Sequence, residues 1–507
     1  MSRVFADVST GNYTGPLRPQ VHFSPPAEWM NDPNGLLVDA NGTYHLYYQY
    51  NPIGLTPANQ HWGHATSKDL YHWENQAIAI SPPTSDVQIF SGSAVIDVNN
   101  TSGFFPNQTN GIVAIYTLNT PTKEVQEIAY STDGGFTFTP FSGNPVIDVN
   151  SGAFRDPKVI WHASTNLWVM AVAYANDFTI GFYTSPNLKS WTHASNFTDP
   201  AIPGPNTSAQ TCSGALLPGH ANMYLLQIST NGAPGGSLTH YIPGTFDGTT
   251  FVALAPAAPI DFAQDNYAGQ FFFDTPRGDG DPVFIAWAAN GAYAASTPTA
   301  QEGWRSAMSL PRAVHLAPTR GGFALVSRPA RALAPVLGPL LARNANLGHG
   351  ELLVDFARGS PSGAVVLHAE IGAAAPGMSF DFAFASAASG ERVGGSLNFD
   401  RAGAGGVVHL DRSQTHGFVN PGMGFNETFA AEVVPQAGGG ASLEVVMDRS
   451  MLEVFVNGGS KSATMLFFPT EPLTTLAVNA SGVPEGVVVS VEVFALESVW
   501  ANTTAAV

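Results

Sequence analysis

The segment Trp29–Gly35, with the sequence Trp-Met-Asn-Asp-Pro-Asn-Gly, is the first part of the chain whose residue types could do chemistry. Asp-Pro-Asn-Gly alone is typical of an ordinary type I turn. Here a Trp and an Asn stand close to the carboxyl of Asp32, and the aromatic strand Thr43–Tyr50 follows. An aromatic wall with polar groups at its end suits a sugar-sized ligand. We therefore interpret Asp32 as a candidate catalytic residue.

A second candidate is Asp156, in the segment Phe154–Val159 with the sequence Phe-Arg-Asp-Pro-Lys-Val. An adjacent Arg and Asp usually form nothing more than a surface ion pair. Only 11% of the residues in this chain are charged. Adjacent Arg155 and Asp156 ahead of an apolar strand therefore indicate side chains that are held in place for a function.

Glycoside hydrolysis commonly uses two carboxyl groups that are supplied by different strands. One attacks or stabilises the anomeric carbon, and a protonated acid helps the leaving oxygen to depart. The two motifs indicate Asp32 and Asp156 as the acidic residues for this chemistry.

The charge balance limits the classes of partner. Twenty Lys and Arg against 38 Asp and Glu give a net charge of −18, which repels nucleic acid and favours a neutral substrate. No uninterrupted apolar run reaches the roughly 18 residues that a membrane span needs. We expect neither a nucleic-acid partner nor a membrane partner.

Cysteine and Asn-x-Ser/Thr usage predicts an extracellular protein without a metal. Cys212 is the only cysteine, so thiolates cannot build a zinc or iron–sulfur site, and the chemistry needs no cofactor. Ten Asn-x-Ser/Thr acceptors between Asn12 and Asn502 suggest secretion and glycosylation. The start of the chain lacks the apolar region of a signal peptide, which indicates a mature or recloned N-terminus. A homodimer through the C-terminal part is compatible with the sequence, which does not decide it.

Short runs rich in Val, Ile, Tyr, Phe and Trp, closed by Gly, Asn, Asp or Pro, predict an all-β fold. Their spacing between about Val21 and Leu316 suits the blades of a β-propeller. The composition shifts at Arg328–Gly350, and alternating runs beyond it predict a β-sandwich. We assign residues 15–330 to the propeller, 331–350 to a linker and 351–507 to the sandwich.

Further motifs occur in one order along nearly the whole chain. They are Gln49–Pro52, His61–Thr66, Phe90–Ser93, Tyr130–Gly135, Leu188–Trp191, Ile285–Trp287, Trp304–Arg312 and Asp448–Gly458. Together with the two acidic motifs they resemble glycoside hydrolase family 32, the β-fructofuranosidases, which include invertases, inulinases and fructosyltransferases. The chain is most similar to the fungal invertase branch.

The resemblance implies a five-bladed β-propeller, with the site in its central funnel, followed by a β-sandwich. It implies that Asp32 is the nucleophile of a retaining mechanism and that Asp156, with Arg155 beside it, binds fructose hydroxyls. It also implies sugar contacts in the terminal-fructose pocket. These contacts come from Asn31, Gln49, Ser91 and Trp287; a core aromatic is the alternative role for Trp287.

The chain departs from the family pattern at the general acid/base. The family has a Glu-Cys pair, and the matching segment here is Ala209-Gln-Thr-Cys-Ser-Gly214. Aligned on Cys212, the acid position is Thr211, and a slip of one residue makes it Gln210. Neither side chain donates a proton as a carboxylic acid does, and no Glu occurs between Glu127 and Glu302.

Three explanations stay open: a deliberate replacement that traps a complex, a natural loss that leaves a fructan-binding or weakly active protein, or a proton from another residue. Our first hypothesis is a β-fructofuranosidase acting on sucrose or short fructo-oligosaccharides, and the second is a non-catalytic binder on the same scaffold. Many relatives have a Trp in the segment that corresponds to Leu55–Pro57, and this chain does not. The sequence therefore does not distinguish hydrolysis from transfer to a second sugar.

Overall fold

The computed structural model describes residues 11–199, 202, 208–216, 223–233, 236–273, 280–319, 322–399, 405–418 and 424–500. Within these ranges the chain forms 36 β-strands and no α-helix. Short 3-10 helices lie at Ala175–Asp177, Ala294–Ser296, Pro298–Glu302, Ala330–Leu333 and Asn457–Gly459. None of the helices in this part of the chain has the length and apolarity to cross a bilayer. The predicted all-β class is confirmed.

Five sheets of four or five strands follow one another along the chain and form five propeller blades. Blade 1 has β1 Glu28–Val38, β2 Tyr44–Asn51, β3 His61–Ser67 and β4 Trp73–Ile80. Blade 2 has β5 Gln88–Ile96, β6 Ile112–Asn119, β7 Glu124–Ser131, β8 Thr139–Pro140 and β9 Ile147–Ser151. Blade 3 has β10 Phe154–His162, β11 Leu167–Tyr174, β12 Thr179–Ser185 and β13 Thr192–Phe197.

The last two blades have the same antiparallel order. Blade 4 has β14 Ser208–Leu216, β15 Met223–Ala233, β16 Gly236–Phe246, β17 Phe251–Ala253 and β18 Ala258–Pro259. Blade 5 has β19 Tyr267–Phe271, β20 Val283–Ala288, β22 Ala307–Met308, β23 Arg312–Thr319 and β24 Gly322–Pro329. Between β20 and β22, the two-residue strand β21 (Trp304–Arg305) pairs with β1 of blade 1.

The ring closes through its innermost strands. Strands β1, β5, β10, β14 and β19 contact one another in that order, and β19 returns to β1. The parallel pairing of Trp304 with Glu28 and of Arg305 with Trp29 adds a link from the fifth blade to the first. A closed ring leaves few bare strand edges.

The ladder of each innermost strand is interrupted by a bulge or irregularity. In β1 the pairing jumps from Met30 to Pro33, and in β10 it jumps from Arg155 to Lys158. The ladders of β5, β14 and β19 are broken at residues 90–91, 211 and 268–269. Bulges re-aim side chains and occur beside active sites. The interruptions therefore mark the places where the five blades turn residues towards the ring axis.

Gly35 shows why the sequence of the first motif is restrictive. Its φ of +52° lies in the left-handed region, and a Cβ atom there would stand 2.7 Å from the ring of Tyr47. Only glycine tolerates this conformation and this close approach. The second irregularity of β1, between Asn34 and Leu37, is thereby permitted.

Two six-stranded sheets follow the propeller and pack as a β-sandwich. One contains β25 Leu337–Asn344, β36 Val489–Leu496, β27 Ala364–Ile371, β32 Ala441–Asp448, β33 Met451–Val456 and β34 Lys461–Leu466. The other contains β26 Glu351–Asp355, β35 Thr475–Ser481, β28 Ser379–Ala385, β29 Arg392–Phe399, β30 Gly406–Gln414 and β31 Thr428–Val433. Inner-facing residues of both sheets, such as Leu367 and Phe382, share one apolar core. The predicted propeller followed by a sandwich is confirmed.

The domain boundaries at residues 330 and 350 stay predictions. Within the segment 331–350, predicted as a linker, the structure has β25, which pairs with the sandwich strand β36. A short 3-10 helix at Ala330–Leu333 precedes it.

A buried ionic group joins the propeller to the sandwich. Arg312 of β23 lies 2.9 Å from Glu453 of β33 and 3.2 Å from Asp261, and its side chain is 0% exposed. The guanidinium also donates to Thr464 and Ser462 of β34. The two carboxylates offset the desolvation of a charge that burial alone would disfavour.

We expect Arg312→Met to lower the free energy of unfolding by about 3–5 kcal/mol, because the buried carboxylate of Asp261 loses its counter-ion and that of Glu453 keeps only His22. Arg343→Met is the matched control. Arg343 forms an ion pair with Glu492 but is 64% exposed, so its loss changes stability by about 0–1 kcal/mol. Urea unfolding followed by tryptophan fluorescence measures both, and equal losses would contradict the assignment.

Candidate active site

One cavity of about 300 Å³ is lined by residues from all five blades. Seven of the nine predicted site residues line it: Asn31, Asp32, Gln49, Ser91, Arg155, Asp156 and Trp287. A larger groove of about 830 Å³, between the N-terminal segment and the sandwich, is lined by none of these seven. The structure therefore brings residues far apart in sequence into one sugar-sized space.

Asp32 lies in the bulge of β1 and is 6% exposed. The Ser91 hydroxyl donates to its Oδ2 at 2.8 Å, and the Asn31 amide donates to its Oδ1 at 3.2 Å. Burial raises the pKa of Asp32, whereas these two hydrogen bonds oppose the rise. The carboxyl is thus held by donors at both oxygens while it faces the cavity.

The orientation of Asn31 is set by its neighbours. Its Oδ1 accepts from the Trp29 indole at 2.8 Å and from the Gln60 amide at 2.9 Å. Both contacts require an oxygen at that position, so the amide nitrogen of Asn31 turns towards Asp32. The Trp29 ring in turn packs against the Trp287 ring at 5.9 Å.

Asp156 lies in the bulge of β10 with a φ of +64°, an uncommon conformation for a residue with a side chain. Its backbone N–H donates to the Thr117 hydroxyl at 3.1 Å. The side chain is 4% exposed and lines the cavity with Asp32. The strained conformation is thus kept at a position that faces the cavity.

Arg155 is oriented by Glu124 of the neighbouring blade. The two side chains form a two-point contact, with distances of 2.8 Å from Nε and 2.6 Å from a terminal nitrogen. Burial opposes the charged form of Arg155, but Glu124 outweighs it and raises the pKa of the guanidinium. Glu124 also accepts from the Phe154 backbone N–H at 2.9 Å, so it holds both the backbone and the side chain of this motif.

A chain of hydrogen bonds links four of the bulged strands. Lys158 donates to the Phe271 carbonyl at 2.8 Å and to Gln270 Oε1 at 3.4 Å. The Gln270 amide donates to the Gly92 carbonyl at 3.0 Å, and the Gly92 N–H donates to Asn34 Oδ1 at 3.2 Å. The irregular backbones around Asp156, Ser91 and Asp32 are thereby tied together by satisfied polar groups.

Two donors on the cavity wall have no partner among the described residues. These are the Gln49 amide nitrogen and the Trp287 indole nitrogen, both buried. A buried polar group without a partner is unfavourable unless a ligand or water pairs with it. Both are therefore suited to sugar hydroxyl oxygens.

The side chains of the other two predicted site residues, Thr211 and Gln210, lie outside the described part of the chain. The backbone register is nevertheless informative. Gln210 pairs with Ser229 and Cys212 pairs with Ile228, which leaves Thr211 as the residue at the interruption of β14. Asp32, Ser91 and Asp156 stand at the equivalent interruptions of their own strands.

Sequence analysis missed several residues of the site. Tyr267, Gln60 and Phe90 line the cavity, and Glu124 holds Arg155 from behind. Phe90 begins a quoted motif, but the polar segment around Glu124 carries no signal. Burial, followed by the charges of Asp32 and Asp156, raises the pKa of Tyr267 well above its usual value, which keeps its hydroxyl protonated.

The propeller and its cavity, with two buried carboxylates and unpaired hydrogen-bond donors, define a glycosidase-type protein. Comparison with known proteins agrees. The N-terminal domain of glycosyl hydrolases family 32 matches residues 22–329, and the C-terminal domain of that family matches residues 358–495. The chain therefore belongs to glycosyl hydrolases family 32, as the motifs predicted.

Individual relatives span different shares of the chain. Levanase from Bacillus subtilis is 38% identical over 97% of this chain and 72% of its own length. Invertase 2 from Saccharomyces cerevisiae is 46% identical over 58% of this chain and 57% of its own length. The crystal structure of exo-inulinase from Aspergillus awamori superposes with a TM-score of 0.85 at 32% identity, covering 96% of this chain and all of that one.

Removing the hydroxyl beside Asp32 tests this geometry. In Ser91→Ala the carboxyl loses a hydrogen bond that lowers its pKa, so the pKa rises further. An attacking carboxylate must be ionised, so a catalytic role of Asp32 predicts that the acid limb of kcat/KM moves to higher pH and that kcat/KM on that limb falls about tenfold.

Fluoride release from β-fructofuranosyl fluoride as a function of pH measures this shift. Ser24→Ala is the control, because Ser24 is buried and its hydroxyl has no partner among the described residues. An unchanged acid limb in Ser91→Ala would show that Asp32 is not the titrating group.

Proposed function

We propose that this protein transfers terminal fructosyl units from sucrose or short fructans by a retaining mechanism, with water or a second sugar as the acceptor. The observation that carries the proposal is the shared cavity of Asp32 and Asp156, in which Ser91 and Asn31 hold the Asp32 carboxyl. Family membership, invertase and levanase relatives included, supports the same chemistry.

Asp32 acts as the nucleophile. One of its oxygens forms a bond to the anomeric carbon while the bond from that carbon to the leaving oxygen breaks, which produces a fructosyl ester of Asp32. Water or a sugar hydroxyl then attacks the same carbon and loses its proton to solvent, while the bond from that carbon to the Asp32 oxygen breaks, which releases the product and restores the carboxylate. Two displacements at one carbon retain its configuration.

Asp156 binds fructose hydroxyls, and its charge stabilises the positive charge that develops on the sugar ring. Arg155 is held by Glu124 at the same wall, so it contributes a fixed donor to a hydroxyl. Gln49 and Trp287 supply the donors that the protein leaves unpaired. These contacts orient one furanose against Asp32.

Thr211 occupies the position of the general acid/base. Without a carboxylic acid there, the leaving oxygen of an unactivated sugar departs without an efficient proton donor. The loss of general acid catalysis is worth about 10²–10⁴ in rate, so sucrose turnover is slow while sugar binding persists.

A sucrose or fructan binder is the second candidate function, and the Thr at this position is the observation that favours it. Both functions use the same pocket and the same sugar partner. We further propose a secreted, glycosylated protein, on the basis of the Asn-x-Ser/Thr acceptors.

Restoring a carboxylic acid separates the two functions and the two alignments. Thr211→Glu should raise kcat/KM for sucrose by about 10²–10⁴, because the leaving oxygen regains a proton donor. Gln210→Glu is the matched control and should not, since Gln210 stays paired with Ser229 in the ladder.

Release of glucose from sucrose gives the measurement. A gain in Gln210→Glu alone would move the acid position by one residue. No gain in either variant, with sucrose binding retained, would favour the binder.

Replacing the nucleophile tests the chemistry independently of the acid. Asp32→Ala should abolish fluoride release from β-fructofuranosyl fluoride, a donor whose leaving group needs no proton, while the fold stays intact. Asp177→Ala is the control because Asp177 is exposed on a 3-10 helix. Parent-like release by Asp32→Ala at unchanged circular dichroism would reject Asp32 as the nucleophile.

A further inference from the structure

The cavity has a buried end and an exposed rim. Asp32 and Asp156 are nearly inaccessible, whereas Gly291 and Ala295 line the same cavity and are exposed. A fructosyl unit bound at Asp32 must therefore extend its leaving group towards the rim. The exposed rim is formed by Pro57 and by residues 291–295, which we call the rim segment, so the second sugar would pass along this segment.

Two of the five residues of the rim segment are buried, Tyr293 and Ala294, and Ala294 belongs to an apolar cluster that includes Trp287. The segment contains one glycine, three alanines and Tyr293, and it ends in the short 3-10 helix Ala294–Ser296. Tyr293 is its only large side chain and is 1% exposed. The contacts of Tyr293 are therefore the ones that connect this wall to polar groups beyond its own apolar cluster.

Tyr293 contacts the sandwich. Its ring lies 4.9 Å from the Phe425 ring in an edge-on arrangement and 6.1 Å from the Phe418 ring. Its hydroxyl donates to Asp265. Asp265 in turn pairs with Arg412 of the sandwich strand β30 at 2.9 Å.

Several contacts fix the position of Arg412, so it can in turn fix Asp265 and Tyr293. The guanidinium is buried, donates to the Leu466 and Asn426 carbonyls at 2.6 and 2.7 Å, and lies 3.5 Å from the centre of the Phe425 ring. It also donates to Gln264 at 3.1 Å. All of these contacts require a planar, multi-donor cation, which lysine does not supply.

A second set of hydrogen bonds connects the rim segment to Gln264, which Arg412 also contacts. The Gln264 carbonyl accepts from the Asn290 amide at 2.9 Å, and Asn290 Oδ1 accepts from the Ala292 N–H at 3.0 Å. Gly291 is tied to Ser237 at 2.8 Å, and Ser237 donates to the cavity residue Asn231 at 3.1 Å. The part of the rim segment that precedes Tyr293 is thus fixed as well.

We propose that the sandwich sets the leaving-group side of the active site, with Arg412 acting through Asp265 and Tyr293 as a positioning residue for the rim segment. The inference rests on the proposed function and names the chemistry concerned. The part of the ligand that it governs is the second sugar of sucrose or of a short fructan, not the terminal fructose.

Calorimetric titration of the full chain with sucrose and with fructose tests the inference. Tyr293→Phe keeps the ring packing and removes only the hydroxyl bond to Asp265. We expect sucrose to bind about tenfold more weakly and fructose to change less than twofold, because one charge-assisted hydrogen bond is lost on the sucrose-specific side. Arg412→Met should give the same pattern with a larger loss, and Arg412→Lys should not rescue it.

Arg312→Met is the matched control. It also breaks a buried ionic contact between propeller and sandwich, but Arg312, Asp261 and Glu453 do not line the cavity. If Arg312→Met changes the sucrose-to-fructose affinity ratio as much as Tyr293→Phe does, general destabilisation explains the effect and the inference fails.

Equal losses for both sugars in Tyr293→Phe, or no loss for either, would also overturn the inference while the proposed function stands. A parent protein that binds neither sugar would overturn the proposed function itself. Should Arg412→Met fail to fold, Tyr293→Phe still decides, since it keeps the aromatic packing.

Discussion

The active site depends on one backbone constraint, the interruption of the hydrogen-bonded ladder in every innermost strand of the propeller. A regular strand would alternate its side chains between the faces of its own blade. The bulges in β1, β5 and β10 instead turn Asp32, Ser91 and Asp156 to one cavity. The freed backbone groups find other partners, such as the Thr117 hydroxyl for the Asp156 N–H. The ring is therefore irregular at the places where chemistry requires it.

The charges of the site follow from the same arrangement. Two buried carboxylates and one guanidinium line the cavity, and Glu124 stands behind the guanidinium. In the mechanism that we propose, the oxocarbenium-like transition state carries positive charge, which this surplus of negative charge favours. The same proposal assigns the acid/base position to Thr211, which has no proton to give to the leaving oxygen as a carboxylic acid does. It therefore separates recognition of the sugar from activation of the leaving group.

The sandwich has a physical connection to that site. Buried ion pairs join the two parts at two places: Arg312 of the propeller with Glu453 of the sandwich, and Asp265 of the propeller with Arg412 of the sandwich. The Arg312 ion pair joins the propeller to the sandwich without reaching the cavity. The second continues through Tyr293 to a segment that lines the cavity. Two contacts of similar chemistry differ in consequence because only one of them ends at the wall of the site.

The sequence by itself determined the fold class, the family and seven cavity residues. These features are encoded in short motifs in which the local backbone or the chemistry allows few residue types. Gly35 is an example, since only glycine fits its backbone conformation. The tertiary structure decided what no local pattern encodes: that Glu124 from another blade orients Arg155, and that Tyr293 connects the rim to Arg412. It also showed that Thr211, not Gln210, stands at the interruption of β14, because register is a property of two paired strands. Contacts between residues tens or hundreds of positions apart exist only once the ring has closed and the sandwich has packed against it.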